Sequence, residues 1–219
     1  MSDKKKVYVE TTVVSDATAL PTNNLALAGR QMTTREWWKM ASEMFELFVS
    51  PAVRREAEKG DPEAAKRRMD ALRDIVDIPF HPDVAMLAQK LVEANAVPAQ
   101  FKEDAVHIAF AAVAGMDYLV SWNFKHITNA QMIPKIKKSA RIMDMCVRKS
   151  ARRKCYKRRC QMIYDETLEE MWRIKRALST AHEAWDEYIA DLLKYQEEER
   201  KRGVKFAEVI PVTHNCAFA

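Results

Sequence analysis

Short apolar blocks set between charged ones run through the first half of the chain, and their period predicts an alternation of strands and helices. Residues 6–10 (KVYVE) alternate and are rich in β-formers, which predicts a short strand ending in a carboxylate. Residues 45–50 (FELFVS) predict a second strand that leads into a helix carrying Glu56, and residues 75–80 (IVDIPF) a third. The run Tyr118-Leu119-Val120 is so short and apolar that it reads as a buried strand, with Ser121-Trp122-Asn123 emerging at its carboxyl end.

Helices fill the intervals. Around Pro21 the pattern is a turn and a helix, and Thr33-Thr34-Arg35-Glu36 has the form of a capping box that starts a helix carrying Trp37, Trp38 and Met40. Gly60-Asp61-Pro62 is a break, with Asp61 as N-cap and Pro62 in the first turn of a helix reaching about Arg73. His81-Pro82 opens another, to about Glu93. Pro98 suits the first turn of the helix that organises the chain. There Asp104, His107, Ile108 and Ala111 fall at i, i+3, i+4 and i+7 and so share one face, and Gly115 ends it. A further helix near 128–138 and a fifth strand at 141–146 complete this part.

Strands alternating with helices of this length imply a parallel sheet covered on both faces, an α/β fold of four to five strands. Right-handed crossovers then bring all the strand ends to one side. Glu10 and Asn123 are expected at carboxyl ends of strands, with Glu56 and Asp104 on helices packed over those ends, where open α/β sheets place their chemistry.

After residue 148 the pattern changes. Residues 148–160 have no apolar period and read as a linker or disordered arm. From Asp165 a single long helix is predicted to Gly203, with Leu168, Trp172, Leu178, Trp185, Ile189, Leu192 and Tyr195 as its apolar stripe. One helix cannot bury two tryptophans alone, so it must dock on a partner.

Composition alters this picture in two ways. The net charge of +5 is unevenly spread: residues 135–159 hold twelve lysines and arginines against a single Asp144, and the remainder is acidic. Such a block points to a polyanion, RNA or DNA. No run of apolar residues is long enough to span a membrane, and the charged start MSDKKK is unlike a signal peptide. The four cysteines (146, 155, 160, 216) form no disulfide framework, which fits a reducing cytoplasm. Cys155 and Cys160 lack the second pair that zinc would need.

The sequence of motifs resembles PIN-domain nucleases of the VapC toxin type. The likeness rests on Val7-Tyr8-Val9-Glu10-Thr11-Thr12, Ser50-Pro51-Ala52-Val53-Arg54-Arg55-Glu56, Asp104-Ala105-Val106-His107-Ile108-Ala109 and Ser121-Trp122-Asn123, and covers about residues 5–140. It implies a three-layer α/β/α sandwich over residues 1–147 with a C-terminal helical extension. It also implies a metal-dependent endoribonuclease, the toxin of a type II toxin–antitoxin pair. Glu10, Glu56, Asp104 and Asn123 would then be the catalytic residues and the ligands of Mg²⁺ or Mn²⁺, hard cations that favour oxygen donors. Two positions depart from the family: the first-strand acid is Glu rather than Asp, and Asn123 is neutral. The competing expectation is a nucleic-acid-binding or scaffold protein whose acidic site no longer cuts. The resemblance further implies RNA as partner, a homo-oligomer, and an antitoxin-like regulator. Residues 162–219, beginning Met162-Ile163-Tyr164-Asp165, are similar to the small helical proteins that accompany such nucleases, joined here by the basic linker 148–161. His107 is expected to be a satisfied core histidine, and Trp37-Trp38 to pack in the core.

Overall fold

Tyr8 and Val9 are fully buried although they are successive residues of one strand, so both faces of the sheet are covered at its centre. In the computed structural model, which describes residues 4–123, 127, 166–182 and 184–208, that strand is β1 (Lys5–Val9). It pairs in parallel with β2 (Phe45–Val49) on one side and β4 (Tyr118–Val120) on the other, and β3 (Val76–Asp77) lies beyond β2. The order is β3-β2-β1-β4, all parallel, with Val7 opposite both Leu47 and Tyr118. Among the described residues eight α-helices accompany this sheet. The fold is therefore α/β, and its arrangement is compatible with a three-layer sandwich.

The helices follow from local signals. Glu10 caps α1 (Thr11–Thr18), Asp61 caps α4 (Pro62–Leu72) and His81 caps α5 (Pro82–Glu93), the last two with proline in the first turn as anticipated. The helix α3 (Pro51–Ala57) carries Glu56, and α6 (Lys102–Val113) carries Asp104. Pro98 lies just before α6, at the head of a short 3₁₀ turn, Ala99–Phe101. Gly115 ends the turn that follows with φ of 62°, a left-handed conformation glycine adopts without cost.

Three elements differ from expectation. Thr33-Thr34-Arg35-Glu36 does not start a helix: α2 runs unbroken over Leu25–Met44, capped by Asn24, whose side chain accepts from the amides of Ala26 and Leu27. Thr34 sits in its interior, donating to the Arg30 carbonyl at 2.8 Å and accepting from Trp122 Nε1 at 3.0 Å. The third strand is two residues long instead of six. Past Ile78 the backbone leaves the sheet, and the Phe80 amide donates to Gln196 Oε1 at 2.6 Å. The outer edge at Asp77 is met by Lys205 and Ala207 from the far end of the chain, at 2.9 and 2.7 Å. Finally, the long tail helix is two helices, α7 (Glu166–Ala181) and α8 (Trp185–Lys201). The helix and strand expected at 128–138 and 141–146, the basic linker and all four cysteines lie outside the described residues.

Both tail helices dock on the sheet-bearing part. Tyr188 and Leu192 of α8 are fully buried and join its hydrophobic core, and Met171 of α7 is also fully buried. Of the anchors suggested by the sequence, Trp185 is half-buried and packs against the core, as Trp37 and Trp38 also do, whereas Trp172 is half-buried outside it. The close fit extends to Gly60, whose φ is +88°: a Cβ there would lie 2.2 Å from Glu170 Oε1 of α7. That oxygen also accepts from the Asp61 amide at 3.1 Å, a hydrogen bond that is lost if the carboxylate swings aside. Gly60→Ala is expected to destabilise the chain by about 1 kcal/mol or more, through the left-handed backbone and the displaced carboxylate together. An unchanged midpoint of urea unfolding would refute this.

Candidate functional site

Strand β1 delivers Glu10 to the carboxyl edge of the sheet, at the point where the chain order reverses between β1 and β4. Being the N-cap of α1, its side chain folds back so that Oε2 accepts from the amide and hydroxyl of Thr12. Ser121, emerging from β4, donates to the same oxygen at 2.8 Å. The other oxygen, Oε1, is buried without a hydrogen bond of regular geometry.

The remaining acids arrive from helices. Glu56 Oε2 accepts from Thr11 Oγ1 at 2.5 Å, and its Oε1 lies 3.0 Å from His107 Nε2. His107 in turn holds its Nδ1 2.8 Å from the Tyr8 hydroxyl, which is 2.7 Å from Ser50 Oγ. In the neutral imidazole, Nε2 donates to Glu56 and Nδ1 accepts from Tyr8. Burial, with the nearby Glu56 and Glu10 charges, raises the Tyr8 pKa well above its usual value against a lowering hydrogen bond from Ser50, so this hydroxyl stays neutral. Asp104 Oδ2 accepts from Asn123 Nδ2 at 3.0 Å, and the Asn123 amide donates to Ser121 Oγ at 2.8 Å. Glu10, Glu56, Asp104 and Asn123 are all 0 % exposed. The four residues named from the sequence are thus brought together by hydrogen bonds and by one shared neighbour.

That neighbour is Lys175 of α7. Its ammonium lies 2.6 Å from Glu10 Oε1, 3.0 Å from Asp104 Oδ1 and 3.6 Å from Glu56 Oε2. Burial by itself would lower the lysine pKa; Asp104, Glu10 and Glu56 more than reverse this and raise it well above the ordinary value. The ammonium acts back on its partners. Burial tends to raise the Glu56 pKa, but Lys175 and His107 turn the balance and lower it, so the carboxylate stays ionised. At 4 Å an opposite pair attracts by roughly 4 kcal/mol at an effective dielectric of 20, while each like-charged pair repels by a similar amount. Formally, three carboxylates around one ammonium leave two negative charges uncompensated.

This donor set suits a hard divalent cation. Three carboxylates are hard oxygen ligands, Glu10 Oε1 has the Lys175 ammonium as its one close partner and no hydrogen bond of regular geometry, and a double charge matches the acids better than a single one. Glu10, Glu56 and His107 also place one potential ligand atom each within 4.8 Å of one another. For His107 the sequence predicts a satisfied core histidine. It is indeed fully buried and satisfied, but its partner is a site carboxylate.

Below the cluster, a second polar network ties the tail down. Arg55 donates to Glu103 Oε1 at 3.0 Å and to Asp191 Oδ2 at 2.8 Å, and its guanidinium lies 4.7 Å from the centre of the Tyr188 ring. The Tyr188 hydroxyl donates to Glu103 Oε2. Lys102 Nζ donates to the His182 carbonyl at 2.5 Å, at the junction between α7 and α8.

No family model, no curated protein and no solved structure matches this chain. Among the described residues no helix is long and apolar enough to cross a membrane.

Proposed function

We propose that the chain is a PIN-type, metal-dependent endoribonuclease in which Glu10, Glu56, Asp104 and Asn123 hold a Mg²⁺ or Mn²⁺ ion against an RNA phosphodiester. One observation carries this reading. Acids from the end of β1, from α3 and from α6 converge, with a polar residue following β4, on a single cation position at the carboxyl edge of a parallel sheet. A bound divalent ion supplies polarisation of the phosphate and a hydroxide nucleophile near neutral pH.

The chain's own residues do the positioning. Thr12 and Ser121 fix Glu10 through one oxygen and leave the other pointing at the cation position. His107, backed by Tyr8, sets the rotation of Glu56, and Asn123 holds Oδ2 of Asp104 so that Oδ1 faces inward. The extra methylene of Glu10, relative to the Asp of PIN nucleases, is taken up by folding back onto α1. The basic block at 135–159 supports a polyanionic substrate. The two docked tail helices support the toxin reading, as a small regulatory partner fused to its nuclease.

The presence of Lys175 in the cation position favours a second reading, an RNA-binding or scaffold protein whose acids no longer cut. Incubating labelled single-stranded RNA with the full chain and with its Lys175→Met variant separates the two. The nuclease cleaves in Mn²⁺, stops in excess EDTA and resumes when Mn²⁺ is restored. Cleavage that survives the chelator would overturn the metal mechanism, and intact RNA with both proteins would leave the non-cutting reading.

A further inference from the structure

We propose that Lys175 is a built-in competitor for the divalent cation, so that α7 is a removable plug which holds the site closed and metal-free until a divalent ion displaces the ammonium. The inference rests on the reading of Glu10, Glu56 and Asp104 as a cation site, and adds how that site is regulated.

The placement of the lysine is the first ground. Its ammonium reaches one oxygen from each of three carboxylates, the same oxygens a metal would need, so lysine and metal exclude one another. Its setting on α7 is the second. The helix buries Leu168, Met171, Ile174 and Ser179 on the face that carries Lys175, and the lysine is itself 1 % exposed. A position on a docking face is ordinarily filled by an apolar side chain; a lysine there is costly unless its charge is answered, and here three acids answer it. Access is the third. With α7 in place the acids are fully buried and no RNA phosphate can reach them.

The two halves of the contact are mutually dependent. Without the ammonium, three buried carboxylates repel one another and must take up protons or another cation. Without the acids, Lys175 would be a buried charge with no counterion. Exchange for a divalent ion answers the carboxylates better and frees the lysine to return to water. Arg55 through Asp191, and Tyr188 through Glu103, hold α8 by contacts that do not involve α7, so withdrawal of α7 would break the Ser179 and Glu170 contacts to the Glu103 and Asp61 amides and leave α8 attached.

The test compares full-length wild-type, Lys175→Met and Lys175→Gln proteins by titration calorimetry with Mn²⁺ alone. Both variants should bind Mn²⁺ at least ten-fold more tightly than wild type. If either variant fails to fold by itself, its circular dichroism should be restored by Mn²⁺ and not by NaCl of equal ionic strength. Equal Mn²⁺ affinity in all three proteins, or a folding defect that Mn²⁺ does not repair, would overturn the plug. RNA cleavage is scored separately. Tighter Mn²⁺ binding without cleavage keeps the plug and removes the nuclease reading, whereas wild-type cleavage as fast as that of Lys175→Met keeps the nuclease and removes the plug.

Discussion

Asp104→Asn, introduced into the Lys175→Met chain, is expected to lower Mn²⁺-dependent cleavage of single-stranded RNA by at least roughly a thousand-fold, about 4 kcal/mol of transition-state stabilisation. The substitution keeps the shape of the side chain and removes one charge of the three that face the cation position. It also leaves an acceptor oxygen, so Asn123 can keep its hydrogen bond and the fold has no reason to open. The loss should appear in kcat and in Mn²⁺ affinity together, because the residue acts through the ion. A double variant that cuts as fast as Lys175→Met alone would remove Asp104 from the catalytic set.

The second large effect concerns how the tail is held. Tyr188→Ala is expected to destabilise the chain by roughly 3–5 kcal/mol, the usual cost of deleting a fully buried aromatic side chain. Its ring sits under Arg55 and edge-on to Trp185, with centroids 6.0 Å apart, and its hydroxyl serves the buried Glu103. Glu103 already has its pKa raised by burial, against the lowering effect of Arg55, and losing a donor removes further support from its charged form. Amide exchange across α8 should quicken while α6 stays protected. Trp172→Ala should cost far less, since that side chain remains half-exposed. An unfolding free energy from urea titration within about 1 kcal/mol of wild type would show that Tyr188 is not the anchor.

What the sequence made legible was what local pattern controls. The apolar runs gave β1, β2 and β4, and Asp61 and His81 with the prolines after them placed α4 and α5. A carboxylate ending a strand and another on an apolar helix face pointed to the same edge, and the structure joins them. One misreading comes from an earlier local cap, and the others from interactions over long separations. Asn24 captures the start of α2, so the later Thr-Thr-Arg-Glu has no free amides left to cap. The short β3 depends on Gln196 and on residues 205 and 207, more than 115 positions away, which no window around Asp77 contains. The break between α7 and α8 contains neither glycine nor proline; the Lys102 ammonium on the His182 carbonyl marks it, again from afar. Lys175 was the least legible. In a stretch as charged as EEMWRIKR it looks like solvent-facing surface, and only its three partners identify it.

The separation between Lys175 and the acids also has a consequence in time. Asp104 and Lys175 are 71 positions apart. At a synthesis rate of about 5–20 residues per second, the ribosome finishes the acids roughly 4–14 s before it adds the lysine that neutralises them. For that interval the acids exist without the lysine that faces them in the finished fold. The contact that covers the acids can therefore form only after α7 has been made, late in the synthesis of each molecule.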